Sequence, residues 1–336
     1  MLLAFFFELF SFTFAIMETN PRIVFFGTPE FAVVSLDALL RAGFTIAGVV
    51  TAPDKAAGRG LTVSKSAVKR YALTHNLPLF QPERLKSQEF HHALAALKPD
   101  IQIVVAFRML PKEVWSLPTL GTFNLHASLL PQYRGAAPIN RAIMNGEEET
   151  GVTTFFINEE IDTGSILMQE YLQIHPDENA GELHDRLMVL GAELVVKTVD
   201  GIVSGAVSAV SQELISMAPG QLKLAPKIHK SDTNIDWDQD TRTVYNQIRG
   251  LTPYPGVYTE IELKDGSSLV FKVGSVRVSD TPYQQALIPG NVFTDRKRFL
   301  KIATRDGYIE VLTLQPASKK LMNVSDFLNG SGALLT

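Results

Sequence analysis

Short apolar runs alternate with segments of helical periodicity over the first 200 residues, and this alternation restricts the fold most. Residues 23–26 form an apolar run, followed by turn residues from Gly27 to Pro29 and by a helical pattern over residues 30–42. Residues 45–50 form the next apolar run. A strand, a helix and a second strand imply parallel pairing through a right-handed crossover. The sequence therefore predicts an α/β domain with a Rossmann-like parallel sheet.

Further helices are predicted from local signals. Residues 64–75 and 87–97 have helical patterns, and Pro138 and Gly146 bracket a shorter helix. A long amphipathic helix is predicted from Asn179 to Gly201. Its apolar residues recur at spacings of four, three and four, which predicts a core stripe made of Leu183, Leu187, Leu190 and Leu194.

The pattern changes in the last third of the chain. From about residue 226, short alternating strands are separated by frequent turns, as in residues 256–263, 268–273 and 307–312. Asp265 and Gly266 form a typical hairpin turn. The total of 336 residues also exceeds the usual size of one domain. We expect a first domain over residues 21–204, a linker over 205–225 and a small β-barrel over 226–336.

The first sixteen residues are apolar but lack the features of a secretory signal. They contain no Lys or Arg, carry Glu8 within the run, and have no small-residue cleavage site. The run is also shorter than a bilayer-spanning helix requires. We expect residues 1–20 to be a leader outside the fold, with translation starting at Met17. A membrane-proximal anchor is the alternative.

Composition and charge exclude some classes of protein. The chain has no cysteine, so disulfides and thiolate metal sites are impossible. Its net charge of −4 argues against a protein that coats nucleic acid. Residues 225–336 nevertheless carry 14 Lys and Arg against 12 Asp and Glu. This part could present a basic surface to a phosphate backbone, or its charges could simply be scattered over a solvated surface.

The ends of the predicted strands indicate where a ligand binds. The turn after the first strand has one glycine, Gly27, where a dinucleotide fingerprint needs three, so a dehydrogenase is excluded. Residues 101–106 form a near-continuous apolar run, typical of a central parallel strand. Phe107 to Pro111 follow directly; their apolar side chains beside Arg108 suit a flat heteroaromatic ligand with an acidic tail, or else a packed strand exit.

The stretch from Gly121 to Gly164 holds three polar candidates. Asn124 and His126 are two apart in an alternating strand, so they share one face. Asp162 lies in the turn after the predicted strand 152–157. Because all three lie at strand exits, we expect one edge of the sheet to gather them into a site. Taken singly, each could instead be a structural residue that satisfies local backbone groups.

Other chemistries lack the residues they need. The stretch has one His and no Cys, and no second His at ligand spacing, so no metal site is expected. There is no Gly-x-Ser-x-Gly elbow and no P-loop. Residues 51–65 form a long segment with Lys55, Arg59 and Lys65, which could contact phosphates or belong to a mobile solvated loop.

These residues also carry a family resemblance. The stretch FNLHASLLPQYRGAAPIN, with EIDTGSIL downstream, resembles the folate-dependent formyltransferases, whose superfamily shares Asn-x-His-x-Ser-Leu-Leu-Pro followed by Asp-Thr-Gly. FFGTPEFAVVSLDALL, AGELHDRLMVLGAEL, LAPKIHKSDTNIDW and IRGLTPYPGVYT are similar too. The resemblance extends from Arg22 onward. The chain departs from the common family pattern at Phe107-Arg108, at Leu61-Thr62 and at residues 157–161.

The resemblance implies a Rossmann-like formyltransferase domain followed by an OB-like β-barrel. It implies transfer of the formyl group of 10-formyltetrahydrofolate to the α-amine of methionine on initiator tRNA, without a metal. Asn124 and His126 would stabilise a tetrahedral oxyanion, and Asp162 would hold His126 in a useful protonation state and accept a proton from the amine. We expect a cytoplasmic monomer without stable membrane association.

The resemblance also implies which residues contact the substrates. Folate would lie against residues at the two strand exits, namely Phe107, Arg108, Met109, Leu110, Ser128, Leu129, Leu130 and Pro131. The tRNA would contact basic residues of both domains, namely Lys55, Arg59, Lys65, Arg296, Lys297 and Arg298.

Two other functions stay open at this point. One is an enzyme of the same superfamily with another acceptor, either a nucleotide-sugar amine or water in a folate deformylase. The other is a non-catalytic RNA-binding protein that retains the fold. The segment around Arg59 and the barrel favour a tRNA acceptor, and the intact trio Asn124, His126 and Asp162 favours an enzyme.

Overall fold

In a computed structural model of the protein, the described residues are 20–57, 62–215, 222–282 and 288–335. The expected leader over residues 1–20 therefore lies almost entirely outside the described residues. Arg59 and Leu61 lie outside them as well.

The first domain is built on a seven-stranded sheet with the strand order β10-β9-β7-β6-β1-β2-β5. The strands of this domain are β1 (Arg22–Gly27), β2 (Thr45–Val50), β3 (Lys55–Ala57), β4 (Thr62–Ser64), β5 (Leu79–Phe80), β6 (Ile101–Val105), β7 (Thr122–His126), β8 (Arg134–Gly135), β9 (Glu149–Phe156) and β10 (Ile166–Gln173). The five strands from β5 to β7 in this order pair in parallel, so the expected parallel sheet is confirmed for them.

The other edge of this sheet is antiparallel. β9 runs antiparallel to β7, and β10 runs antiparallel to β9. The connection between β9 and β10 is a turn, too short for the crossover that a parallel pair needs. The sheet is therefore mixed, as is common when a parallel α/β sheet ends in an antiparallel edge.

Helices cover the sheet, and all of them except the short one over residues 112–115 lie where the sequence predicts a helix. They are α1 (Glu30–Arg41), α2 (Ala67–Thr74), α3 (Gln88–Ala96), α4 (Lys112–Trp115), α5 (Pro138–Met144) and α6 (Ala180–Val203). Asn179 and Glu182 form a capping box at the start of α6. Leu183, Leu187 and Leu194 are buried in the main core of the domain and Leu190 packs against it, so the predicted core stripe is confirmed.

The segment 51–65 contains a short two-stranded sheet, while residues 58–61 lie outside the described residues. β3 pairs antiparallel with β4, with Lys55 opposite Ser64 and Ala57 opposite Thr62. This pairing was not predicted from the sequence. Each of the two strands has three residues, and segments this short show too little alternation for a pairing to be predicted from sequence.

The second part of the chain has two antiparallel four-stranded sheets, β12-β13-β18-β19 and β14-β17-β16-β15. Its elements are β11 (Leu224–Ala225), α7 (Thr241–Leu251), β12 (Val257–Glu262), β13 (Ser268–Val273), β14 (Val276–Val278), β15 (Val292–Thr294), β16 (Leu300–Ala303), β17 (Tyr308–Val311), β18 (Thr313–Pro316), β19 (Met322–Asn323) and α8 (Val324–Ser331). The two sheets share one apolar core with α7 and α8. The predicted antiparallel β-domain is confirmed, whereas α7 and α8 were not predicted.

Helix α7 joins the two parts of the molecule. Arg249 on α7 is buried and donates from Nη1 to the carbonyl oxygen of Glu178, 2.9 Å away. Burial lowers the pKa of Arg249 from its ordinary value. Asn140 on α5 donates to the carbonyl oxygen of Gly250 at 2.7 Å, and Arg141 pairs with Asp232 at 2.9 Å. These contacts fix the β-domain against the side of the first domain that carries α5.

Candidate active site

Strand β7 presents Asn124 and His126 on the same face of the sheet, as its alternation predicts. His126 is 6% exposed, and Asn124 is half-buried. The side-chain amide of Asn124 makes no hydrogen bond to any described residue. A half-buried amide whose donors are unused is available to a ligand.

The imidazole of His126 is held by the loop that follows β7. Its Nε2 lies 2.8 Å from the carbonyl oxygen of Tyr133. Since a carbonyl oxygen only accepts, Nε2 carries the hydrogen and donates it. The other nitrogen, Nδ1, lies 3.8 Å from Oδ2 of Asp162. This distance is too long for a hydrogen bond, so the two side chains face each other without one.

Asp162 reaches the site by a different route from the one expected. Because β9 is antiparallel to β7, with Phe156 opposite Phe123, the turn after β9 starts at the amino end of β7. The expectation that Asp162 exits at the same sheet edge as His126 is therefore wrong. The side chains meet because the turn folds back along β7.

The turn around Asp162 has a demanding backbone. Asp162 has a φ of +56°, in the left-handed region, and its Oδ2 accepts a hydrogen bond from the Gly135 amide at 2.9 Å. A Cβ at Gly164 would lie 1.6 Å from the Phe156 carbonyl oxygen, so this position requires glycine. Residues in rare conformations often occur at functional sites, where the surrounding structure maintains them.

The loop after His126 is fixed by buried polar side chains. The Ser128 hydroxyl donates to the Gln132 carbonyl at 2.7 Å, and Thr153 Oγ1 donates to the Ser128 carbonyl at 2.6 Å. Gln169 Nε2 donates to the Leu130 carbonyl at 2.9 Å. Ser128, Leu130 and Pro131 are buried and Leu129 is half-buried, so the stretch is packed into the domain.

The segment after β6 follows the strand that pairs in parallel with β7. Phe107 packs edge-on against Phe26 with ring centroids 5.7 Å apart, and Leu110 is buried. Arg108 Nη1 donates to the Glu83 carbonyl at 2.9 Å, so its guanidinium braces a neighbouring loop. Met109 is 69% exposed.

An ion pair connects this segment to the turn that carries Asp162. Lys112 Nζ lies 2.5 Å from Oε1 of Glu159. Ile161, on the same turn as Glu159, is 61% exposed. Two exposed apolar side chains, Met109 and Ile161, therefore belong to adjoining segments beside the trio. Such a rim suits the apolar faces of a ring ligand.

The chain is similar to known proteins along nearly its whole length. The formyl transferase family model matches residues 21–199, and the formyl transferase C-terminal domain model matches residues 227–332. The methionyl-tRNA formyltransferase of Azobacteroides pseudotrichonymphae is 51% identical over 319 residues, covering 95% of this chain and 98% of the relative. That of Flavobacterium johnsoniae is 48% identical over 309 residues, covering 92% and 96%. The chain belongs to the methionyl-tRNA formyltransferase family.

Solved structures share the fold of this formyltransferase at low sequence identity. HypX from Aquifex aeolicus, in complex with tetrahydrofolic acid, superposes with a TM-score of 0.62 at 19% identity, over 94% of this chain and 48% of HypX. The sugar 3N-formyl transferase WlaRD superposes with a TM-score of 0.62 at 21% identity, over 90% of this chain and all of WlaRD. These likenesses confirm the expected fold class.

The basic residues expected to contact tRNA lie in two places on the formyltransferase. Lys55 and Lys65 are exposed at the same end of the β3–β4 hairpin. Arg296, Lys297 and Arg298 form the turn between β15 and β16. Asp295 caps that turn: amide hydrogen bonds, the one from Arg298 first, lower the pKa of its carboxyl far below the ordinary value. Arg298 Nε also pairs with Asp295 at 2.9 Å, so its charge is partly neutralised.

Several residues that hold the trio in place were not predicted. They are Tyr133, Arg134, Thr153, Gln169 and Gln212. Burial, and then the hydrogen bond to Glu147, raise the pKa of the Tyr133 hydroxyl, so it stays protonated. Apart from Tyr133, which is seven residues from His126, each acts through a bond to a segment distant in sequence, which no local pattern marks.

Within residues 20–335, apart from the gaps given above, no three His, Asp or Glu side chains are grouped as metal ligands. No described helix is long and apolar enough to span a bilayer.

Proposed function

We propose that this protein transfers the formyl group of 10-formyltetrahydrofolate to the α-amine of methionyl initiator tRNA, giving N-formylmethionyl-tRNA. Its membership of the methionyl-tRNA formyltransferase family over nearly its whole length supports this reaction. The observation that carries the mechanism is the convergence of His126 and Asp162, 3.8 Å apart, beside the unused amide of Asn124. The enzyme acts in the cytoplasm as a monomer.

The reaction needs a stabilised oxyanion. The amine nitrogen attacks the formyl carbon, a C–N bond forms, and negative charge develops on the formyl oxygen. The Asn124 amide donates to this oxygen from a half-buried position, where a hydrogen bond to a charge is strong. His126 Nδ1 also donates when it carries a proton, since Nε2 is committed to Tyr133.

The reaction also moves protons. The attacking amine must lose a proton, and N10 of the folate must gain one as its bond to the formyl carbon breaks. Asp162 accepts the proton from the amine, directly or through water, and its carboxylate keeps the imidazole of His126 in the protonation state that the step needs. The hydrogen bond from the Gly135 amide fixes which way the carboxylate faces.

The folate lies in the opening between the segment after β6 and the turn that carries Asp162. The exposed apolar side chains of Met109 and Ile161 and the half-buried ring of Phe107 offer surfaces for its ring system. Arg108, Leu110 and the stretch Ser128–Pro131 form the walls of this opening.

The decisive test is a formylation assay with the purified full-length protein and 10-formyltetrahydrofolate. We expect formylation of methionyl initiator tRNA, measured as acid-stable formylmethionine. A nucleotide-sugar amine and an acceptor-free sample are run beside it. Formylation of the sugar amine alone, or release of formate without an acceptor, would show one of the alternative reactions and contradict the proposal.

The β3–β4 hairpin supplies a test of the tRNA contact. We expect Lys55→Ser combined with Lys65→Ser to raise KM for tRNA, and to reduce the salt dependence of tRNA binding by about one unit of log–log slope per lost phosphate contact. KM for the formyl donor should stay unchanged. Lys98→Asn is the matched control, because Lys98 is exposed at the opposite end of the sheet. Equal changes in all of these variants would contradict a tRNA role for the hairpin.

A further inference from the structure

The segment between the two domains places one buried side chain against the candidate active site. Gln212 begins a single turn of 3-10 helix, Gln212–Leu214, and is 4% exposed. Just before it, Val210 exchanges two backbone hydrogen bonds of 2.8 Å with Ile166 at the start of β10. Gln212 is therefore held against the first domain, although it follows the expected end of that domain at residue 204.

All the hydrogen-bonding groups of the Gln212 amide are used at the site. Nε2 donates to the carbonyl oxygens of Asp162, at 3.0 Å, and Gly164, at 2.7 Å. Oε1 accepts from Nε of Arg134 at 3.0 Å and from Nη2 at 2.6 Å. One buried amide thus connects two segments that are separated by about thirty residues of sequence.

These two segments are the ones that supply the carboxylate and its hydrogen-bond donor. Asp162 contributes the carboxylate from a left-handed backbone conformation, which persists only where its surroundings maintain it. Gly135, the neighbour of Arg134, donates the amide hydrogen that Oδ2 of Asp162 accepts. Without Gln212, the Asp162 carbonyl and the Arg134 guanidinium would both lose their partner.

The chain after Gln212 returns to the same place. Leu224 and Ala225, in β11, pair with Arg134 and Gly135 in β8. A Cβ at Gly135 would lie 2.4 Å from the Ala225 carbonyl oxygen, so the two strands approach as closely as a glycine allows. The interdomain segment therefore braces the Arg134–Gly135 strand from two sides.

We propose that Gln212 is a positioning residue of the formyltransferase, which sets the Asp162 carboxylate relative to His126 by tying the Asp162 turn to the Arg134–Gly135 strand. The inference rests on the proposed function of Asp162. Since a displacement of about 1 Å at a reacting group can lower a rate on the order of 100-fold, loss of this tie acts on the chemical step. Gln212 itself does not touch the substrates.

The test replaces Gln212 with Met, which has a similar length and no hydrogen-bonding amide. We expect kcat to fall at least tenfold, with KM for tRNA and for the formyl donor within threefold of the wild type. Gln247→Met is the matched control, because Nε2 of Gln247 also donates to two backbone carbonyls, those of Asp232 and Asn234, but in the β-domain. Its kcat should stay within threefold of the wild type at a similar loss of Tm.

A second variant, Gln212→Glu, allows the test to be made if Gln212→Met folds poorly. It keeps the oxygen that accepts from Arg134 and loses the two donated hydrogen bonds, so the same fall in kcat is expected. A kcat within threefold of the wild type in either folded variant overturns the proposal. So does an equal fall in Gln247→Met, or failure of both Gln212 variants to fold, which would make Gln212 a stability residue.

The result for Gln212 can be distinguished from a failure of the proposed function. If the wild-type protein formylates a sugar amine and no tRNA, the proposed acceptor is wrong. The same comparison of Gln212→Met with Gln247→Met, made on the acceptor that is used, still decides whether Gln212 positions Asp162.

Discussion

Asp162→Asn is expected to lower kcat for formyl transfer by about 10²- to 10⁴-fold, the range that a positioned general base contributes. Asn has the size of Asp and keeps an oxygen that can accept the Gly135 amide at the position of Oδ2. What it removes is the negative charge 3.8 Å from His126 and the capacity to take the amine's proton. The measurement is kcat with saturating donor and tRNA, beside a thermal unfolding curve.

The size match makes a control simple to choose. The Asp240 carboxylate also accepts a backbone hydrogen bond, from Thr243 at 2.9 Å, but it caps α7 in the β-domain. Because Asn caps helices as well as Asp does, Asp240→Asn should leave both kcat and Tm close to the wild-type values. Full activity of folded Asp162→Asn would show that the carboxylate takes no part in the reaction.

Local patterns were sufficient to predict long helices with a repeating apolar stripe and strands that are buried on both faces. The stripe of α6 and the buried run of β6 depend only on which side of the element faces the core. Helix α7 was missed for a related reason. Val244, Ile248 and Leu251 do recur at helical spacing, but the buried polar residues Asn246 and Arg249 lie among them and are not marked as core residues by an apolar pattern. Only the tertiary contact with Glu178 shows why an Arg is buried there.

The candidate site also contains residues that local patterns predict and residues that they do not. The period of a strand places Asn124 and His126 together, and the motif downstream marks Asp162. The expectation that all three leave their strands at one edge of the sheet is wrong, because β9 runs antiparallel to β7 and its direction cannot be predicted from its own residues. The hydrogen bonds that Thr153, Gln169 and Gln212 donate could not be predicted, since each joins segments that only the folded chain brings together.

Asn124→Ala is expected to lower kcat by about 10²- to 10³-fold, as removal of one oxyanion donor does in other enzymes. The half-buried amide makes no hydrogen bond to the described residues, so its loss leaves no partner unsatisfied, and Tm should change little. KM for the formyl donor should stay within threefold, because the interaction forms only as charge develops on the formyl oxygen.

A comparison of the two substitutions separates their roles. If Asn124 and Asp162 serve one transition state, the double variant loses less than the product of the single losses, since groups that act as a unit are not additive. A raised KM with an unchanged kcat in Asn124→Ala would instead assign Asn124 to ground-state binding of the folate. That result would leave His126 as the oxyanion donor from the trio, with Nδ1, the nitrogen that faces Asp162, as its donor atom.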